Sequence, residues 1–195
     1  MQASRHRTSV RLRDLAIVQN SKSVVLRWAT ASDAAIILKM IKGLAEFEQC
    51  SADVLTSEEL LRRDFTHGHF ECVLADSAST GECVGSALFY YKYSACRGRC
   101  LYLEDLYVVP SDRRSGVGLS LISAVAHVAL LAGCARVQWC ALDWNTMAIE
   151  FYRSQRVGAR ERLADAAGTK YINFILDGHN LAKLASNPTG HTTKG

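Results

Sequence analysis

Hydrophobic and polar positions along the chain follow two patterns, one typical of helices and one typical of strands. The segment Val24–Trp28 is rich in β-forming residues and predicts a first strand. Ser32 and Asp33 follow it and can cap a helix. Helical spacing then predicts one helix with a single buried face, formed by Ile36, Ile37, Met40, Ile41, Leu44 and Phe47.

In the next part of the chain, one short helix is followed by several strand-like segments. Thr56 and Glu59 have the spacing of a capping box, which predicts a short second helix that the turn-like residues 66–69 end. Gly81 lies in a connection of hairpin length between two strand-like segments. The first half of the chain is therefore predicted to be antiparallel, with strands at 70–76, 83–93 and 100–109.

The second half returns to alternation of strand and helix. Residues 119–131 have the apolar density of a buried helix, and Gly133 is a natural end for it. The remaining elements are predicted as a strand at 136–142, a helix at 145–155 and a strand at 171–176. The expected fold is an α/β single domain with a mixed, mostly antiparallel sheet, a central strand–helix–strand crossover and flanking helices. Ligands tend to bind at such a crossover.

Composition limits the domain organisation and the partners. With 195 residues and 49% hydrophobic content, the chain suits one globular domain, expected at residues 23–186. Residues 1–22 are expected to be a flexible basic extension, with an organellar presequence as the alternative, and residues 187–195 a flexible tail. The net charge of +4 is modest and spread along the chain, so no nucleic-acid partner is predicted. No apolar run reaches the roughly 20 residues of a membrane span, so no membrane partner is predicted either.

The cysteine pattern indicates free thiols rather than a disulfide framework or a metal site. The chain has seven cysteines, an odd number, and most lie inside apolar runs. This favours a reducing compartment, and we expect a cytoplasmic location. Three residues separate Cys96 from Cys100, but no second Cys or His pair has zinc-like spacing, so no metal is predicted.

A basic, glycine-containing turn follows the strand at 100–109. At a helix start the backbone N–H groups are unpaired and the helix dipole is positive, so glycines there let a diphosphate approach while arginines add charge. The turn differs from a Walker loop and from a dinucleotide fingerprint, because it lacks a Gly-Lys-Ser/Thr ending and has two glycines. It predicts a pyrophosphate cradle, with a tight turn bearing solvated arginines as the alternative, at Arg113, Arg114, Ser115, Gly116, Val117 and Gly118.

The pattern Arg113-x-x-Gly116-x-Gly118 after a strand resembles the acetyl-CoA motif of the GNAT superfamily of N-acetyltransferases. The preceding strand, Leu101-Tyr102-Leu103-Glu104-Asp105-Leu106-Tyr107-Val108, is similar to the one found there. The resemblance is to the spermidine/spermine and thialysine branch, and it implies acetyl-CoA as co-substrate and a homodimer. It continues through Arg27-Trp28-Ala29-Thr30 with Asp33, Leu44-Ala45-Glu46-Phe47-Glu48, and Leu142-Asp143-Trp144-Asn145 with Phe151-Tyr152.

The resemblance also implies a role for individual residues. Tyr152 matches the tyrosine whose hydroxyl protonates the leaving CoA thiolate, and a thiolate expelled into an apolar cleft gains from such a donor. The alternative is a core tyrosine on an amphipathic helix. Backbone groups of the central strand would hold the pantetheine arm, and the turn and the next helix the rest of the cofactor, which implies Leu106, Tyr107, Val108, the turn Arg113 to Leu119 (including Leu119 itself), Asn145 and Ala148.

An amine nucleophile is protonated near neutral pH, with a pKa of about 10.4, so a base must receive its proton before attack. Glu104 is the predicted base, and it lies in an otherwise apolar strand. Strict alternation places Tyr102, Glu104 and Leu106 on one face and Leu103, Asp105 and Tyr107 on the other. A salt bridge to an arginine is the alternative for the two acids. By the same resemblance the amine site comprises Phe47, Glu48, Glu104 and Asp105.

Departures from the family pattern concern the acceptor. Ser94 and Cys96 stand where the polyamine enzymes carry an acid and a tryptophan, and the spacing from Tyr152 to Gly158 is about two residues longer. The basic balance also fits poorly with a polycation. Cys140 lies on an adjacent strand but has no activating base nearby in sequence, so direct transfer is favoured over an acyl-cysteine.

The predicted function is acetyl transfer from acetyl-CoA to a primary amine of a small molecule, either a polyamine, a diamine or a thialysine-like compound. One alternative is a non-catalytic acyl-CoA-binding or regulatory module. The other is an acetyltransferase that acts on a peptide or protein amine.

Overall fold

The computed structural model describes residues 24–162 and 171–186. The predicted basic extension at 1–22 and the predicted tail at 187–195 lie outside the described residues. Within the described part, one seven-stranded sheet has the strand order β1-β2-β3-β4-β5-β7-β6. Its strands are β1 (Val24–Trp28), β2 (Glu71–Ser77), β3 (Cys83–Ser94), β4 (Gly98–Val108), β5 (Arg136–Leu142), β6 (Arg160–Arg162) and β7 (Tyr171–Asp177). The helices are α1 (Ala34–Phe47), α2 (Glu58–Thr66), α3 (Val117–Leu131), α4 (Thr146–Arg153) and α5 (Gly178–Ser186).

The sheet is antiparallel except at its centre. Strands β1 to β4 form antiparallel neighbours, and β5, β7 and β6 form a second antiparallel group. The two groups meet where β4 and β5 run parallel, joined by the crossover helix α3, so the predicted mixed α/β fold is confirmed. The parallel pairing covers only Leu101 with Val137 and Tyr102 with Gln138. Beyond these pairs the two strands separate, and a cleft opens between them.

Helices cover both faces of the sheet. Helix α3 is apolar on nearly all sides because it is buried between the sheet and α5. Helices α1 and α2 pack on the other face against β1 to β4. Strand β3 approaches its neighbours so closely that a Cβ on Gly85 would lie 2.9 Å from the Tyr107 carbonyl oxygen. Only glycine fits at this position without displacing the end of β4.

Strand β4 contains a β-bulge at Glu104. Leu88 pairs with Asp105 and the next residue, Phe89, pairs with Leu103, so Glu104 is the extra residue of β4. The predicted strict alternation along this strand is therefore wrong beyond the bulge. Asp105 and Tyr107 lie on the α1 side, whereas Leu103 and Leu106 both pack on the α3 side.

Other differences from the predicted elements are local. Helix α2 begins one residue later than predicted, because the Ser57 hydroxyl, rather than that of Thr56, accepts a hydrogen bond from the Leu60 N–H at 3.1 Å. Helix α4 starts after Asn145 and ends at Arg153, so it is shorter than the predicted segment 145–155. Strand β6 is too short to show a pattern, and α5 follows β7 directly, so neither was predicted. No helix in the described ranges is both long and apolar enough to span a membrane.

Candidate active site

A cavity of about 440 Å³ lies beside the end of β4, bounded by that strand end, the end of α1, the start of α3 and helix α4. Most residues predicted to hold the cofactor lie on its wall. Two do not, because the Val117 side chain is buried in the core and the exposed Ser115 hydroxyl donates to the Asp112 carbonyl at 2.6 Å. The predicted residues on the wall are Leu106, Tyr107, Val108, Arg113, Arg114, Gly116, Gly118, Leu119, Asn145 and Ala148.

The strand-to-helix turn adopts a conformation that suits a bound anion. Gly116 precedes α3 with φ of +94°, and Arg114 also lies in the left-handed region with φ of +62°. Gly116 offers no side chain to cap the helix, so the first N–H groups of α3 are available to a ligand. A Cβ built on Gly116 would meet no atom of the described chain within 4 Å. The space next to these donors is therefore open.

The two arginines of the turn are placed differently. The Arg113 Nε donates to the Val108 carbonyl at 3.1 Å, and its guanidinium lies 4.7 Å from the centre of the Phe47 ring. Arg113 thus stiffens the wall as well as supplying charge. Arg114 is exposed at the rim of the same cavity. Phe47, predicted to line the amine site, lies on this cavity and contacts Trp144 at 5.8 Å between ring centres.

Tyr152 lies where this cavity meets a smaller one. Its ring packs against Trp139, Phe151 and Phe174 at centre-to-centre distances of 5.1, 5.3 and 5.1 Å, and the residue is only 7% exposed. Its hydroxyl makes no hydrogen bond to any described residue, although it borders both cavities. Burial raises the pKa of Tyr152, so the hydroxyl stays protonated near neutral pH. This arrangement leaves a proton donor facing the cleft.

A second large cavity, of about 460 Å³, lies between α1, residues 50–56 and β4, and we call it the acidic cavity. Four carboxylates line it and no lysine or arginine does. A small cavity of about 60 Å³, the junction cavity, is lined by Tyr152 and shares the residues Glu48 and Glu104 with the acidic cavity. The acidic cavity is lined by Glu48, Asp53, Glu104 and Asp105 among others.

No ion pair within the described ranges balances the charge of these carboxylates. Glu48, Glu104 and Asp105 form no ion pair with any residue in the described ranges, so the predicted salt-bridge alternative is not observed there. Burial, with smaller effects from Glu104 and Glu48, raises the pKa of Asp105 from 3.8 to about 6. Burial also raises the pKa of Glu48. A cationic ligand would relieve this accumulated negative charge.

Five residues that the sequence did not single out as site residues also line the 440 Å³ cavity. Helical spacing from the Asn145 cap could have found two of them, since α4 turns the same face toward the cleft at every third or fourth residue. The long spacing after Tyr152 proves to be a turn, in which the N–H groups of Val157 and Gly158 donate to the Ser154 carbonyl at 3.1 and 2.8 Å. The five additional residues on the wall of the 440 Å³ cavity are Leu44, Met147, Phe151, Ser154 and Arg156.

A mixed sheet that splits at its one parallel pair, with an anion cradle beside the opening, defines the class of GNAT-fold acyltransferases. Residues 40–158 match the acetyltransferase (GNAT) family. The chain belongs to this family and is an N-acetyltransferase, which confirms the resemblance found in the sequence. The family uses acetyl-CoA as co-substrate.

Individual relatives support the same assignment. Thialysine N-epsilon-acetyltransferase of Sus scrofa is 40% identical over 171 residues, which cover 84% of this chain and 98% of that protein. Spermidine/spermine N(1)-acetyltransferase-like protein 1 of Homo sapiens is 32% identical over 137 residues, covering 67% of this chain and 20% of that protein. The crystal structure of an aminoglycoside acetyltransferase from an uncultured soil metagenomic sample shares the fold, with a TM-score of 0.64, 20% identity, and coverage of 75% of this chain and 95% of that one.

The raised pKa of Asp105 predicts a pH-dependent cost to stability. The native state binds the proton of the Asp105 carboxyl more tightly than the unfolded chain does. The contribution of Asp105 to the free energy of unfolding is therefore most favourable below pH 3.8 and is lost as the pH rises through about 6. We expect Asp105→Asn to raise the free energy of unfolding by roughly 2 kcal/mol at about pH 8 and to have little effect at about pH 4. Urea unfolding at both pH values would measure this difference.

The matched control for this prediction is Asp53→Asn, an exposed acid on the rim of the same cavity. Its free energy of unfolding should stay within about 0.5 kcal/mol of the parent at both pH values. If Asp105→Asn were less stable than the parent at the higher pH, the carboxylate would have a stabilising partner and the argument from burial would be wrong.

Proposed function

We propose that this N-acetyltransferase transfers the acetyl group of acetyl-CoA directly to the primary amine of a small cationic molecule. The observation that carries the proposal is that two large cavities each share lining residues with the junction cavity, on whose wall Tyr152 lies. One cavity has an anion cradle and an apolar wall, which suit the diphosphate and the pantetheine arm of the donor. The other has four carboxylates and no basic residue on its wall, which suits a cationic acceptor.

The residues at the junction fit a direct transfer in which every proton has a destination. The ammonium group of the acceptor loses its proton to Glu104, at the bulge, or through water to Asp105. The free amine attacks the thioester carbon, the C–S bond breaks, and the CoA thiolate takes a proton from the Tyr152 hydroxyl. The second proton, which the nitrogen loses as the amide forms, passes through water to the tyrosinate and restores the hydroxyl. Backbone N–H groups beside the open edge of β4 would stabilise the charge that develops on the carbonyl oxygen.

The local charge of the acceptor site supports a cationic substrate despite the basic balance of the whole chain. Interactions between exposed charges are screened over about 8–10 Å at physiological ionic strength, so the four nearby acids outweigh distant arginines. The names of relatives agree, since they specify thialysine, spermidine/spermine and L-ornithine. We therefore propose a polyamine, diamine or thialysine-like acceptor.

A panel of amines would test the proposal. CoA thiol release should occur with thialysine, ornithine, putrescine or spermidine, and the Michaelis constant for the active amine should rise about tenfold in Glu48→Gln, with little change for acetyl-CoA. Binding of CoA without turnover on any amine would favour the non-catalytic alternative. Activity on peptides alone would favour the protein-amine alternative.

Three further expectations stay predictions. The homodimer follows only from the family resemblance, and light scattering of the purified protein would test it. The cytoplasmic location follows from the cysteine usage. The flexible ends at 1–22 and 187–195 lie outside the described residues.

A further inference from the structure

Cys140 occupies a position in the cleft that the proposed acetyl transfer does not use. It lies on β5 and lines the junction cavity together with Glu48, Glu104 and Tyr152. The seven cysteines are all free thiols, but Cys72, Cys100 and Cys134 are buried and Cys96 is exposed. Cys140 is partly exposed, as are Cys50 and Cys83, but only Cys140 of these three lines the junction cavity, which shares lining residues with both the 440 Å³ cavity and the acidic cavity.

Two neighbouring hydroxyls make this thiol part of a built site. The Tyr102 hydroxyl donates a hydrogen bond to the Cys140 Sγ at 3.4 Å, and burial keeps that hydroxyl protonated because it raises the pKa of Tyr102. A donor aimed at sulfur stabilises negative charge there during attack. Tyr152, more than nine-tenths buried, presents a hydroxyl without a partner in the described chain to the same cavity. The cavity therefore has polar groups that a ligand would satisfy.

The approach to Cys140 selects ligands by charge. Glu48, Glu104 and Asp105 line the acidic cavity, and Glu48 and Glu104 also line the junction cavity together with Cys140, so a molecule that moves from the first cavity to the second meets these carboxylates. Carboxylates along this path attract cations and repel anions. A cationic ligand would also offset the negative charge that these acids place near the attacking sulfur.

We propose that Cys140 is a thiol–disulfide exchange site for small cationic disulfides, that is, diamines whose two ammonium groups are joined through a disulfide. The Cys140 thiolate attacks one sulfur of the disulfide, a new S–S bond forms and the original one breaks. The departing aminothiolate takes up the proton that Cys140 has lost. Cystamine is the simplest such compound, and the exchange needs no other oxidant.

The mixed disulfide would block acetyl transfer. It leaves an aminoethyl group in the junction cavity, between Glu104 and Tyr152, where the acceptor amine has to reach the thioester. This consequence rests on the proposed function, but the exchange itself does not. Reduction by excess thiol restores the free cysteine, so the inhibition is reversible.

Intact-mass measurement of the full-length protein would test the site. We expect cystamine to add one aminoethylthio group at least about tenfold faster than the anionic disulfide dithiodipropionate at equal concentration, because of the carboxylates on the path. Peptide mapping should locate the group on Cys140, dithiothreitol should remove it, and Cys140→Ser should abolish the addition. Cys96→Ser and Cys50→Ser are the controls and should react like the parent, since Cys96 is exposed and Cys50 lines the acidic cavity, and neither lines the junction cavity.

Three results would overturn the proposal. These are equal rates with the cationic and the anionic disulfide, addition at Cys50 or Cys96 in place of Cys140, and unchanged addition to Cys140→Ser. The mass shift is measured without acetyl-CoA or an amine acceptor. A chain that formed the mixed disulfide but acetylated no amine would refute the proposed function and leave the exchange site standing.

Discussion

Replacement of Tyr152 by phenylalanine is expected to lower kcat by about 100-fold to 10,000-fold while the affinity for acetyl-CoA stays nearly unchanged. The substitution removes only the hydroxyl, because the ring is held by Trp139, Phe151 and Phe174 and phenylalanine fills the same volume. Without this donor the thiolate leaves unprotonated into an apolar cleft. Steady-state kinetics together with calorimetric titration of CoA would separate the two effects.

Tyr91→Phe is the matched control for this substitution. Its hydroxyl is also buried without a hydrogen-bond partner in the described chain, but it lies on β3 with its ring packed against the core on the α3 side. We expect its kcat to stay within about twofold of the parent. If Tyr152→Phe were equally active, the hydroxyl would not be the acid and water would have to protonate the thiolate.

Replacement of Gly116 by valine is expected to weaken acetyl-CoA binding by at least about 30-fold, equivalent to roughly 2 kcal/mol. Two causes act together. The position has φ of +94°, which a β-branched residue adopts only under strain, and the new side chain would occupy the open space beside the first N–H groups of α3. Titration with acetyl-CoA and with CoA would measure the loss.

The control variant Gly81→Val separates the effect of backbone strain from the effect of blocking the anion cradle. Gly81 has a similar φ of +73° and equally open space, but it lies in the hairpin between β2 and β3. Both variants should lose comparable thermal stability, and only Gly116→Val should lose cofactor affinity. Equal affinity in the two variants would mean that the turn does not hold the diphosphate.

Much of the wall of the proposed donor cavity could be predicted from the sequence because many of its residues lie close together along the chain. The turn that carries Arg113 and Gly116 follows a strand and opens a helix, and backbone geometry alone brings those residues to one wall. Tyr152 was singled out by the family resemblance, and it lies two turns after the Asn145 cap. Local sequence is most informative where one turn or one helix forms a cavity wall.

The proposed acceptor cavity was predicted less completely because it depends on the long-range register of the strands. Its acids come from the end of α1, a following loop and the middle of β4, and no local pattern shows that they surround one cavity. The bulge at Glu104 also shifts Asp105 to the face opposite the one that regular alternation assigns. An extra residue in a strand becomes visible only when the partner strand is known.

The short parallel contact between β4 and β5 has a mechanical consequence. The sheet has two antiparallel parts, one formed by β1 to β4 and the other by β5, β7 and β6. They are joined by two residue pairs between β4 and β5 and by helix α3. Beyond these two pairs, the facing backbone groups of β4 and β5 have no strand partner among the described residues. A ligand arm with amide groups could supply the missing hydrogen bonds. Such a ligand would bridge β4 and β5 where the sheet has the fewest hydrogen bonds. Occupancy of the cleft should therefore slow amide exchange in both antiparallel parts of the sheet at once.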